Sequence, residues 1–168
     1  APLIEAEIAF VVGEPISADA DVDDIARGSH GVAAALEVID YRTRDSRGIV
    51  DWVADNSTVA YAVLGPRLAL ADVGPLGSIE VTLRRDDEEI ATGQGARVMG
   101  DPLRAIAWLA RHVATRDRRL EPGAVVLTGS LTGHHELAPG STNAATFSEL
   151  GEVSVRLRRA IDPEPSGK

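Results

Sequence analysis

Apolar residues alternate along the start of the chain. At period 2, Ile4, Ala6, Ile8, Phe10 and Val12 fall on one face, and Glu5, Glu7, Ala9 and Val11 on the other. The pattern predicts a strand over 3–12 that carries two carboxylates side by side. Like charges at that spacing repel, and burying them is costly unless a cation or a proton neutralises them. The simplest arrangement is therefore an edge strand whose glutamate face is in water. Downstream, "EPISADADVDDIARG" reads as an acidic loop with a short helix near 21–26, followed by a second strand near 34–41. "DSRGIVDWVADN" suggests a loop with a helical turn, and a strand at 58–64 follows it. Alternation on both sides of Asp86–Asp87 is a hairpin signal. "GDPLRAIAWLARHVATRD" predicts the main helix, near 101–117. Asp101 is its N-cap, Pro102 is at the first helical position, and Leu103, Ile106, Ala107 and Ala110 form an apolar stripe. Further strands are expected near 123–128, 143–147 and 152–159, and the tail "DPEPSGK" is expected to be disordered. There are no repeats and no internal linker. The expectation is one β-rich α+β core over 1–160 and a tail over 161–168.

Composition narrows the classes of function. At 168 residues the chain can build one substantial core but not two comfortable ones. Aromatic residues make up only 4%, so Val, Ile, Leu and Ala must fill the interior. A net charge of −9 argues against nucleic acid and anionic membrane surfaces as partners, because phosphate binding needs clustered cations. With no cysteine there is neither a disulfide framework nor thiolate chemistry. No apolar run is long enough to span a bilayer, and the basic-then-apolar pattern of a signal peptide is absent. A cytoplasmic location is expected. The basic residues are 16 arginines and one lysine, Lys168.

Glu37 changes the picture at the first strand. It interrupts Leu36, Val38 and Ile39 in "AALEVIDYR", a second strand-like stretch. Three carboxylates drawn from two apolar strands suit a hard cation such as Mg²⁺ or Mn²⁺, which takes oxygen ligands and leaves positions for water or substrate. Spacing alone leaves a solvated-edge arrangement open. Asp40 and Arg42 could orient Glu37 from behind, with a surface ion pair the plainer role for Arg42. His134 and His135 are adjacent, so on an extended chain they point opposite ways; neither is expected to be a metal ligand.

"EAEIAFVV", "ALEVIDYR", "DWVADN", "GQGARVMGDPLRAIAWLA" and "VVLTGSLTG" occur in the order found in the 2-keto-4-pentenoate hydratase group of the fumarylacetoacetate hydrolase superfamily, which the chain resembles over residues 2–159. The resemblance implies a mixed β-sandwich or roll of that superfamily's C-terminal type. It implies that Glu5, Glu7 and Glu37 bind one divalent metal, Mg²⁺ or Mn²⁺. It further implies that Asp55 and Asn56, with Ser57 and Thr58 behind them, bring polar groups to the substrate, although Asp55 could equally be a helix cap. The hydroxyl of Thr128, or the amides after it, would touch the substrate. The expected activity is hydration of an unsaturated 2-oxo or 2-hydroxy acid such as 2-hydroxypenta-2,4-dienoate. Such an acid chelates a metal through its carboxylate and adjacent oxygen, and Lewis-acid stabilisation of the dienolate serves either water addition or loss of CO₂. A decarboxylase or tautomerase on the same scaffold is the alternative. A non-catalytic metal-binding or partner-stabilising subunit is the alternative of another class.

The sequence departs from the group in two places. Members usually carry a long segment before the E-x-E strand that supplies an active-site lysine, and the only lysine here is Lys168. An arginine cannot replace it as a proton carrier, because it stays protonated. No catalytic residue is therefore assigned in this chain. The expected assembly is a homo-oligomer, or a complex with a chain that supplies the segment, docked on an open edge or apolar groove. The "PGD" turn usual near the C-terminal strands reads "PGST" at 139–142.

Overall fold

The computed structural model describes residues 2–42 and 48–158. Strand β1 (Leu3–Val12) lies in the middle of the first sheet. Its inward row of Ile4, Ala6, Ile8, Phe10 and Val12 is buried as the alternation predicts. A short helix α1 (Val22–Arg27) follows, closed by a capping box in which Asp21 and Asp24 each accept the other's backbone N–H. Strand β2 (Ser29–Ile39) then pairs antiparallel with the whole of β1. It begins at Ser29, earlier than the sequence suggests. Ser29 and Gly31 look like loop residues, but β1 offers ladder partners as far as Val12.

The edge-strand arrangement expected for β1 is not what forms. Its second edge is covered by a segment more than a hundred residues later in the chain. Strand β6 (Val125–Leu127) pairs with Ala9–Val11, and the two-residue β7 (His135–Glu136) pairs with Leu3 and Ile4. Between them the Thr128 N–H donates to the Ile8 carbonyl (3.1 Å), and the Leu131 N–H to that of Ala6 (2.9 Å). The Ala6 N–H in turn donates to the Thr132 hydroxyl oxygen (3.2 Å). The backbone groups of β1 are satisfied on both sides, so its glutamate face is not the wet face of an edge.

The sheet ends on one side in β3 (Val59–Leu64), which pairs with β2, and on the other in β6 and β7. Strand β3 is preceded by helix α2 (Ile49–Ala54), which buries none of its residues. The second sheet has the order β5 (Glu88–Gln94), β4 (Glu80–Arg85), β8 (Thr142–Phe147), β9 (Gly151–Arg156). The hairpin at Asp86–Asp87 is present, with Asp86 in the left-handed region (φ 52°). Every strand pairing among the described residues is antiparallel.

Helix α3 (Pro102–Ala114) supplies the remaining wall of the core. The Asp101 carboxylate accepts the Leu103 N–H (2.8 Å), and Leu103, Ile106, Ala107 and Ala110 are the buried face. One apolar core joins both sheets and α3. The result is a β-rich α+β sandwich with one main helix. Residues 161–168, expected to form a disordered tail, lie outside the described residues. No described helix is long and apolar enough to cross a membrane.

Candidate metal centre

The outward face of β1 and β2 carries the carboxylates. Glu5 and Glu37 are direct partners across the ladder, and Glu7 is one row further along opposite Ala35. Side chains directly opposite in an antiparallel pair share a face. Carboxylate oxygens of Glu5, Glu7 and Glu37 accordingly lie within 4.8 Å of one another. Beyond them on the same face, Ala9, Ala33 and Ala35 pack with Leu127 into a small apolar floor.

The electrostatics are those of crowded, desolvated carboxylates. Glu7 is only 2% exposed. Burial, opposed by the Gly129 N–H and reinforced by Glu37 and Glu5, pushes its carboxyl up to about 8. Glu37 is also raised, chiefly by burial, although the hydrogen bond from Glu7 works the other way. The Gly129 N–H reaches a Glu7 oxygen at 2.8 Å. Gly129 has φ +123°, a conformation that side-chain-bearing residues rarely adopt, so the glycine is what lets the chain turn its amide onto Glu7. No cationic side chain among the described residues reaches Glu7 or Glu37 in an ion pair; in its absence the pair shares a hydrogen bond. Three carboxylates this close on rigid strands form an all-oxygen donor set that fits a hard divalent cation.

The remaining expected residues are distributed less tightly. Asp55, Asn56, Ser57 and Thr58 stand where the chain enters β3, whose Val59 pairs with Ile39, two residues along β2 from Glu37. Asp55 accepts Arg42 Nε (2.6 Å), so Arg42 makes the surface ion pair and leaves Glu37 alone. Asn56, Ser57 and Thr58 are all left-handed (φ 53°, 53° and 65°), a local strain of the kind found at functional sites. Thr58 is buried, and its hydroxyl donates to the Ser57 carbonyl (2.6 Å).

One expectation is narrowed to one of its two options and another needs correction. Thr128 spends its hydroxyl on the Ile8 carbonyl (2.9 Å), inside the sheet, and it is the following amide, that of Gly129, that meets the carboxylates. Asp40 does not support Glu37. It sits three residues further along an extended chain, which turns it to the opposite side. There it lines an apolar cleft with Val38 and Tyr61. One residue went unassigned at the sequence level: His134, whose Nδ1 lies 3.4 Å from a Glu5 oxygen.

The fumarylacetoacetate (FAA) hydrolase C-terminal family matches residues 2–158. The chain is 38% identical over 154 residues to a 2-keto-4-pentenoate hydratase of Burkholderia vietnamiensis, covering 90% of this chain and 59% of that protein. It is 32% identical over 158 residues to the 4-oxalocrotonate decarboxylase of Pseudomonas putida, covering 93% of this chain and 60% of that one. The structure of 4-oxalocrotonate decarboxylase from Pseudomonas putida G7, complexed with magnesium and adipate, superposes with a TM-score of 0.85 at 30% identity. That match covers 93% of this chain and 60% of the decarboxylase. The chain thus spans about three fifths of the length of the relatives it matches.

Proposed function

The chain belongs to the fumarylacetoacetate hydrolase C-terminal family, and on that footing we propose that it is the metal-binding core of a hydro-lyase acting on an unsaturated 2-oxo acid such as 2-hydroxypenta-2,4-dienoate. The observation that carries this is the convergence of Glu5, Glu7 and Glu37 within 4.8 Å on one sheet face. Mg²⁺ or Mn²⁺ is the ion these residues would hold. Bound there, such an ion supplies Lewis acidity toward the oxygens of a 2-oxo acid.

The chain's own residues set the stage for that chemistry. The Gly129 N–H fixes one Glu7 oxygen, and the ladder between β1 and β2 fixes Glu5 against Glu37. Ala9, Ala33 and Ala35 continue the same face beside the carboxylates as buried apolar surface. Asp55, Ser57 and Thr58 are proposed to line the substrate's other flank from the entry to β3. Proton transfer at carbon needs a further group. Residues 2–158 contain no lysine, and we assign that role to a lysine on a further polypeptide segment, in the same protein or a companion chain.

Decarboxylation is the second reading, favoured by the 0.85 superposition on the decarboxylase. Both reactions draw on the same electron sink, so the carboxylate site does not choose between them. Assembly with a second copy or a companion is proposed from the uncovered apolar surface of α2 and β3, and the cytoplasm is the proposed compartment.

Calorimetry with Mg²⁺ and oxalate tests the reading. The 168-residue chain should bind Mg²⁺, and oxalate only once Mg²⁺ is present. Hydration of 2-hydroxypenta-2,4-dienoate should be weak without the missing acid–base group, since such a group contributes about 10²–10⁴-fold. Oxalate binding that is indifferent to Mg²⁺ would contradict the proposal.

A further inference from the structure

The loop from Thr128 to His135 touches both members of the paired glutamates. At its start the Gly129 N–H meets Glu7 (2.8 Å), and near its end His134 Nδ1 meets Glu5 (3.4 Å). The second contact follows from strand register. β7 pairs Glu136 with Leu3 and His135 with Ile4. Continued by one residue, the same ladder sets His134 opposite Glu5, on the face that Glu5 shares with Glu37. Glu5 therefore has a carboxylate neighbour across β2 and an imidazole neighbour on its other side.

The loop is fixed by its own bonds. The Ser130 hydroxyl oxygen accepts the Gly133 N–H (2.9 Å), and the Thr132 hydroxyl donates to the Gly133 carbonyl (3.0 Å) while accepting the Ala6 N–H (3.2 Å). Gly133 is left-handed (φ +73°), which turns the chain into β7. His135 is directed the other way, with Nε2 3.3 Å from the Thr132 carbonyl. The two adjacent histidines are thus separated, and only His134 faces the carboxylates. Its side chain is 63% exposed, against 12% for Glu5, so the imidazole stands at the open rim of the centre.

We propose that His134 is a positioning residue of the metal centre, donating its Nδ1–H to one oxygen of Glu5 so that the other is held toward a divalent cation. This rests on the metal reading proposed above. A neutral imidazole in the Nδ1–H tautomer is sufficient, because the role needs a donor and no charge. Carboxylates that ligate metals are themselves hydrogen-bonded, and removal of such a partner typically weakens metal binding about 10–100-fold.

The test is Mg²⁺ affinity by calorimetry on the full chain. His134→Ala should weaken binding about 10–100-fold. His134→Asn, whose amide N–H₂ occupies nearly the position of Nδ1, should recover most of the loss, and His135→Ala should bind like the unsubstituted chain. Thermal unfolding without metal should be the same in all four proteins, separating positioning from folding. Mg²⁺ affinity unchanged in His134→Ala, or not rescued by Asn, overturns the role. So does a directly bonded nitrogen in the electron spin-echo spectrum of the Mn²⁺-loaded protein, which would make His134 a ligand. Glu7→Gln separates the two levels. If it abolishes Mg²⁺ binding while His134→Ala leaves binding intact, only the role of His134 fails. If the unsubstituted chain binds no Mg²⁺, both fail.

Discussion

Glu7 keeps its proton at a pH where an exposed glutamate would have released it, because burial penalises its charge more than the Gly129 N–H supports it. The stability consequence has a definite sign. Between the ordinary value of 4.5 and the raised value of about 8, the folded metal-free protein holds a proton that the unfolded chain does not. Stability from this group is therefore complete below pH 4.5 and is lost as pH rises through 8. Glu37 is raised and adds in the same direction. Urea unfolding in the presence of chelator should show the protein less stable at pH 8 than at pH 5, by up to a few kcal/mol. Glu7→Gln should flatten that slope. Mg²⁺ should bind more tightly as pH rises, because a ligand must lose its proton first; a slope that steepens in Glu7→Gln would contradict this. The three glutamates were legible in the sequence as charges interrupting apolar strands. His134 was not, because its neighbour is fixed by a two-residue strand with no pattern of its own, and at Thr128 the choice between hydroxyl and following amide stayed open because the hydroxyl's partner is the backbone of a distant strand.

At the scale of elements, α3 shows how far local signals carry. Cap, first-position proline and apolar stripe all agree there, and the helix forms at Pro102–Ala114 with those residues inward. Ile106 is fully buried, so Ile106→Ala should destabilise by about 2–5 kcal/mol. Asp101→Ala should cost about 1 kcal/mol through the lost cap. Denaturant midpoints at constant slope would check both, and a cap variant as damaging as the core variant would argue against this division of roles. β1 shows where local signals stop. Its alternation located the strand and its faces, but a wet edge and a central strand read alike until the pairing partner is known. The partners here are β6, β7 and the loop between them, far away in sequence. The Gly129 N–H that meets Glu7 comes from that closing segment.

At the scale of the molecule, exposed large apolar side chains are densest on α2. Ile49, Val50, Trp52 and Val53 of α2 are half or more exposed, while the exposed Tyr61 and Leu64 of the following edge strand stand on its two opposite faces, across from Val38 and Ala35. A six-residue helix that buries nothing has little stability of its own in water. Concentrated apolar surface of this kind marks an interaction face. The chain is therefore expected to associate, with itself or with a companion, through this side. Trp52→Asp together with Val53→Asp should shift sedimentation toward the monomer without lowering Mg²⁺ affinity. A monomer in the unsubstituted chain at micromolar concentration, with no companion bound, would count against it. Composition pointed to one substantial core and the resemblance to a partner, but neither located the face.

Glu5, Glu7 and Glu37 are proposed to hold one divalent cation that in turn binds a 2-oxo acid. The most direct measurement is anomalous diffraction from crystals of the chain soaked with Mn²⁺ and oxalate. One strong peak is predicted, with an oxygen of each glutamate about 2.2 Å from it and oxalate completing the shell. A peak elsewhere, or none at saturating Mn²⁺ with the three carboxylates still hydrogen-bonded to one another, would contradict it.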